Sequence, residues 1–169
     1  TSEVTLLELT SAFVPFANNG YPVVPYAITR ISTRDGKLLY KHRSVAGQAL
    51  VPPYVAAGIT DLLQTAVSTG TGRAAQIGRP VAGTTGTTSS NKDGWFLGFS
   101  SGITTGVWMG RDDARAVNGL QGGTAPARAF ASYMRFATAR RPIEQFDTEL
   151  KLPDWQLEPE VDESFGEPG

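Results

Sequence analysis

The chain has no cysteine, which excludes a disulfide framework, a thiol nucleophile and a thiolate metal site. That absence fits a bacterial envelope protein as well as a cytosolic one. Histidine is nearly missing too: His42 is the only one, so any Ser-His-Asp triad would have to use it. It follows Leu38-Leu39-Tyr40-Lys41 at a polar strand end, where the plain reading is a solvated surface imidazole. No apolar run reaches the roughly 18 residues a membrane span needs, and no basic-then-apolar leader opens the sequence. The first residues, Thr1-Ser2-Glu3-Val4-Thr5, lack an initiator Met. The chain reads as an internal piece of something larger, whose anchor or leader lies elsewhere.

Acid is scarce in the body of the chain. Residues 1–141 carry 14 Lys/Arg against 7 Asp/Glu, whereas residues 142–169 carry 9 acids and only Lys151. The basic body favours an anionic substrate or surface. No Lys/Arg cluster is interleaved with aromatics, which argues against nucleic acid as a partner. The tail, 142–169, is acidic and Pro-rich (Pro153, Pro159, Pro168). It buries too little to order itself and is expected to be largely disordered, except where Trp155 and Leu157 dock. What remains, within 169 residues at 40% hydrophobic content, suffices for one domain with a core.

Local signals place the elements. Thr5-Leu6-Leu7-Glu8 is a capping box, and Leu6, Leu9, Phe13, Phe16 and Ala17 follow at helical spacing until Asn18-Asn19-Gly20 stops the helix. Residues 26–32 and 37–42 flank Thr33-Arg34-Asp35-Gly36, a hairpin signal. Pro52-Pro53 opens a second helix over 54–67, with Val55, Ile59, Leu62, Leu63 and Ala66 as its apolar stripe. Strands are predicted over 80–87, 95–100 and 104–110, joined by Asn91-Lys92-Asp93-Gly94 and Ser101-Gly102. The last is apolar on both sides (Val107, Trp108, Met109) and is expected at the centre of an antiparallel meander. Thr124 caps a third helix, with Pro126 in its first turn and Phe130, Tyr133, Met134 and Ala137 facing inward. The order predicts an α+β fold, an antiparallel meander sheet with helices packed on it. Trp95, Phe96, Phe99 and Trp108 are expected in its core.

Three apparent motifs dissolve in context. Gly70-Thr71-Gly72-Arg73-Ala74-Ala75 spells a dinucleotide fingerprint, but a helix precedes it and Gly78-Arg79-Pro80 closes it, so it reads as a helix C-cap and turn. Ser89-Ser90-Asn91-Lys92 spells both Ser-x-x-Lys and Ser-x-Asn, yet all four residues share one polar turn where a nucleophile and its base would be solvated. Asp112-Asp113 has nothing nearby to complete a hard-cation shell. No metal or cofactor is implied.

The blocks that do carry information run in order. They are Glu3-Val4-Thr5-x-Leu7-Glu8, Phe16-Ala17-Asn18-x-Gly20-Tyr21, Gly70-Thr71-Gly72-Arg73-Ala74 and Ala82-Gly83-x-Thr85-Gly86-Thr87-Thr88. Asp93-x-Trp95-Phe96-x-Gly98-Phe99, Gly106-Val107-Trp108-x-Gly110-x-Asp112-Asp113 and Gly122-Gly123-Thr124-Ala125 complete the series. Together, over about residues 2–137, they resemble class A penicillin-binding proteins. The resemblance identifies residues 1–141 as the C-terminal half of a transpeptidase domain with the partial fold shared by penicillin-binding proteins and serine β-lactamases. It implies a periplasmic-side enzyme of the bacterial inner membrane that cross-links peptidoglycan stem peptides through an acyl-serine, the serine that β-lactams would acylate. By the same resemblance the substrate-binding residues are Thr84, Thr85, Gly86 and Thr87. Thr85 and Thr87 would offer hydroxyls to the donor carboxylate, Gly86 would admit substrate backbone, and the Thr87 N–H would be an oxyanion-hole donor. The nucleophile Ser and its base Lys are absent from the chain.

One departure stands out: the family's strand begins Lys-Thr-Gly, and here the Lys position is Thr84. A hydroxyl brings no charge, and one charge-assisted contact contributes on the order of 1.5–3 kcal/mol. Lys92 and Arg111 are the candidate substitute cations. Three roles stay open: an enzyme fragment inactive without its N-terminal half, a non-catalytic peptidoglycan-peptide-binding lobe or pseudoenzyme, and a fragment that self-associates through an exposed sheet edge.

Overall fold

The computed structural model describes residues 3–44 and 47–149. Its elements run α1 (Leu6–Ala17), β1 (Arg30–Ser32), β2 (Leu38–Lys41), α2 (Pro53–Ser68), β3 (Ala82–Thr87), β4 (Asp93–Ser100), β5 (Ile103–Gly110) and α3 (Ala125–Ala137). The capping box of α1 is formed: the Glu8 N–H donates to Thr5 Oγ1 at 3.2 Å, and the Thr5 N–H donates to the Glu8 carboxylate at 2.8 Å. Pro15, inside the last turn, has no N–H to continue the ladder. The chain then leaves the helix through Asn19 and Gly20, at φ 51° and 92°.

From Gly20 the chain makes an excursion that closes where the Leu50 N–H donates to the Gly20 carbonyl at 2.8 Å. Within this arm β1 and β2 pair with each other in a sheet of their own, and every residue of both strands is exposed. His42 is not the solvated imidazole expected. It is half-buried and stacked on Tyr26 at 3.4 Å between centroids.

The second sheet has the order β3-β4-β5, all antiparallel. Ser101 and Gly102, at φ 47° and 74°, make the two-residue turn joining β4 to β5. The central strand is therefore β4, not β5 as its apolar run predicted. Coverage on both faces decides this: Phe96 packs on α3 against Phe130, with ring centroids 4.7 Å apart, while Leu97 lies towards α1. A Cβ at Gly106 would meet Leu97 at 2.8 Å and Leu6 at 3.0 Å, so α1 seats on the sheet only because this position is glycine. Val107 and Met109 on β5 are half-buried and Trp108 is 37% exposed.

The helices bury smaller residues than periodicity selected. In α2 the buried positions are Ala56, Thr60 and Val67, and Leu62 is 65% exposed. The Thr60 hydroxyl reaches across to the Phe16 carbonyl at 3.2 Å, so the α1 contact rotates the helix away from the purely apolar stripe. In α3 the inward face is Pro126, Ala127, Phe130, Ala131 and Met134, whereas Tyr133 points outward. Thr124 does not cap α3 with its side chain; its hydroxyl turns back to donate to the Gln121 carbonyl at 2.7 Å. Val67, Ala75, Val81, Phe96, Ala127, Phe130 and Met134 form the core cluster. Phe96 and Phe99 are buried as predicted, but Trp95 and Trp108 are not in this core. Of the expected tail, residues 142–149 carry no helix or strand and Phe146 meets Phe99 edge-on. Residues 150–169 lie outside the described residues.

Candidate active site

Alternation along β3 separates its hydroxyls. Thr84 is opposite Leu97 and Gly86 opposite Trp95, so Thr84 and Gly86 share the face towards α1, while Thr85 and Thr87 share the face towards α3. On the α1 side the sheet and helix enclose a cavity of about 810 Å³. Residues 84–88 form one wall, Leu6, Leu9 and Phe13 of α1 another, and Trp95, Leu97 and Trp108 the floor. The two indoles meet edge-on, 6.4 Å between centroids. Asp93 fixes the end of this floor: its Oδ1 accepts from Trp108 Nε1 at 2.9 Å and its Oδ2 from the Thr88 hydroxyl at 3.2 Å.

On the opposite face the Thr85 and Thr87 hydroxyls are engaged. Thr85 Oγ1 shares a hydrogen bond of 2.6 Å with Thr71 Oγ1, and Thr87 Oγ1 accepts from the Gly122 N–H at 3.1 Å. Gly122 allows that approach because a Cβ there would collide with the Trp95 carbonyl and lie 2.5 Å from the Gly86 carbonyl. Backbone groups remain on the open side of β3, which is an edge strand among the described residues. The Thr88 N–H donates to the Asp93 carbonyl at 3.1 Å. Antiparallel alternation then turns the N–H and C=O groups of Thr87 and Thr85 away from β4, towards the open edge.

The structure thus brings Thr84, Thr85, Gly86 and Thr87 to one cavity rim, but neither candidate substitute cation joins them. Lys92 precedes Asp93 and Arg111 follows Gly110, which is paired with Asp93. Both backbones lie four or more ladder positions from the Thr84–Leu97 pair, about 13 Å or farther at 3.3 Å per residue. Arg111 is moreover committed to Asp113 at 2.9 Å, and Arg115 meets the same carboxylate at 2.6 Å. These two guanidiniums hold the Asp113 carboxyl well below the ordinary carboxylate range. Glu3 and Asp93 are the ionisable groups lining the cavity.

Ser89–Asn91 form an exposed 3-10 turn with Ser90 at φ 66°, the polar connection predicted. The Gly70–Gly72 segment closes α2, the Gly72 N–H donating to the Ala66 carbonyl at 2.9 Å. Sequence reasoning missed Trp95, Trp108 and Asp93 as cavity residues and Thr71 as the partner of Thr85. The signal for the two indoles was available, because they pair across β4 and β5 on the same face as Thr84.

A family model, penicillin binding protein transpeptidase domain, matches residues 2–134. The chain belongs to the penicillin-binding protein transpeptidase family. It is 37% identical over 161 residues to penicillin-binding protein 1A of Neisseria lactamica, covering 91% of this chain and 20% of that protein. The crystal structure of penicillin-binding protein 1A from Haemophilus influenzae superimposes with a TM-score of 0.77 at 26% identity, covering 85% of this chain and 28% of the other. PonA1 from Mycobacterium tuberculosis, solved in complex with penicillin V, gives a TM-score of 0.70 at 23% identity over 83% of this chain and 40% of that one. The chain spans about a fifth of the length of the curated relatives it matches. Among the described residues no helix is long and apolar enough to cross a membrane, and no cluster of potential metal ligands occurs.

Proposed function

We propose that this chain supplies the substrate-binding strand of a D,D-transpeptidase that cross-links peptidoglycan stem peptides on the periplasmic side of the bacterial inner membrane. The observation that carries the reading is the open edge of β3 beside the α1 cavity. An extended donor peptide adds to such an edge as a further strand, held by main-chain hydrogen bonds. The serine comes from outside this chain, from the N-terminal half of the domain. Its oxygen attacks the penultimate D-Ala carbonyl, a Lys-type base takes the proton, and terminal D-Ala leaves as the amine. An acceptor amine then displaces the serine and restores its proton. The Thr87 N–H faces the developing oxyanion, a contact of the kind that contributes about 3 kcal/mol of transition-state stabilisation. Thr85 and Thr87 present their hydroxyls to the donor carboxylate by exchanging the internal partners Thr71 and Gly122. β-Lactams acylate the same serine, a reading that the penicillin V complex of PonA1 supports for the fold.

A second reading, a peptide-binding lobe or pseudoenzyme, is favoured by one observation: Thr84 occupies the Lys position while the ionisable lining of the cavity is carboxylate. Intact mass after incubation with excess benzylpenicillin separates the two, measured on this chain and on its longer parent. An adduct on the folded parent alone supports the transpeptidase. An adduct on neither supports the binding lobe. An adduct on this chain would locate a nucleophile at Ser89 and overturn both.

A further inference from the structure

The arm between Gly20 and Leu50 is the least explained part of the molecule. A lone two-stranded hairpin is marginal in water, and a third strand usually makes it stable. Here both strands are exposed along their whole length. The register sharpens the problem. Ile31 lies opposite Tyr40, and Arg30 lies opposite Lys41, so one face is apolar and the other places two like charges directly across from each other, an unfavourable pairing. Arg34, Lys37 and Arg43 add to the cationic side of the balance, against Asp35 alone between residues 21 and 44. None of these five cations is ion-paired among the described residues.

The C-terminal segment carries the complementary pattern. Asp154-Trp155-Gln156-Leu157-Glu158 alternates with period two: Trp155 and Leu157 fall on one face, Asp154 and Glu158 on the other. Pro159 follows, and its missing N–H ends a strand. The placement is also suitable. Residues 144–147 line a common cavity with Phe16, Ala17 and Asn19, beside Gly20, where the arm is rooted. Five residue steps, at most about 18 Å of chain, lead from Glu149 to Asp154.

We propose that residues 154–158 add to the β1–β2 hairpin as a third strand, with Trp155 and Leu157 covering Ile31 and Tyr40 and with Asp154 and Glu158 neutralising Arg30 and Lys41. The hairpin is thereby a docking surface for an acidic, alternating segment of the same chain, at a site separate from the β3 cavity.

The test follows Trp155 emission, isolated as the difference between the chain and its Trp155→Phe variant, with acrylamide quenching as the readout. Docking predicts quenching at least threefold weaker than for a free 150–162 peptide, independent of protein concentration and strengthened towards the free value by 1 M salt. Arg30→Glu with Lys41→Glu should release the segment, and adding Asp154→Lys with Glu158→Lys should recapture it. Amide exchange in β1 and β2 should accelerate on truncation after Glu149. The proposal is overturned if Trp155 quenches like the free peptide, or if the charge reversal changes nothing. Concentration-dependent protection would assign the surface to a second copy, and protection lost in the longer parent would assign it to another segment; either overturns docking in cis.

Discussion

Replacing Thr84 by Lys tests whether the β3 strand is an anion-binding strand that lost its cation. The side chain is half-buried and faces the 810 Å³ cavity, so a Lys enters open space rather than the core. A restored charge-assisted contact to a donor carboxylate contributes on the order of 1.5–3 kcal/mol, or about 10- to 150-fold in rate. The opposing term is attraction to Asp93, which would draw the ammonium away. Asp93 lies four ladder positions from Leu97, the partner of Thr84, about 13 Å along the strand. At that distance the pair interacts by roughly 0.3–1.3 kcal/mol for effective dielectrics of 80 to 20, and salt screens it further. The direct contact wins, so the second-order acylation rate with a fluorescent penicillin, measured on the longer parent, should rise at least fivefold. An unchanged or lower rate in a variant with unaltered melting temperature would sink the argument that Thr84 stands where the strand's cation is needed.

Gly122→Ala should push the 119–124 loop off Gly86 and Trp95, where a Cβ has no room. Overpacking of this kind costs about 1–3 kcal/mol, and the acylation rate of the parent should fall because the Thr87–Gly122 bond is broken. Phe130→Ala removes a fully buried ring from against Phe96 and should destabilise by about 3–5 kcal/mol, read from the urea midpoint. Ser89→Ala should leave the penicillin adduct of the parent unchanged, since Ser89 sits in an exposed turn. Acid should fray α1. The Thr5 backbone N–H, then its hydroxyl, hold the Glu8 carboxyl below its ordinary 4.5, so the stabilisation is complete above that value and lost as pH falls through the lowered one. Amide exchange at residues 6–9, measured between pH 6 and 2.5 and corrected for intrinsic rates, should lose protection in the chain but not in a Glu8→Gln variant.

Local chemistry by itself determined a good deal. The Thr5–Glu8 box, the Asp35-Gly36 and Ser101-Gly102 turns and the glycine-punctuated β3 each encode their structure within a few residues, so helices, hairpin and meander were legible with boundaries shifted by a residue or two. Period-two alternation also told which residues of a strand share a face. It could not tell what covers that face. β4 rather than β5 became central because α3 and α1 both pack on it, through Phe130 and through the space left by Gly106. Trp95 and Trp108, apolar enough for a core, instead floor a cavity because α1 meets the sheet with Leu6, Leu9 and Phe13 and does not fill it. The hydroxyls of Thr85 and Thr87 found their partners 14 and 35 residues away, at Thr71 and Gly122. Such pairings depend on how whole elements dock, and only the tertiary structure brings those atoms together.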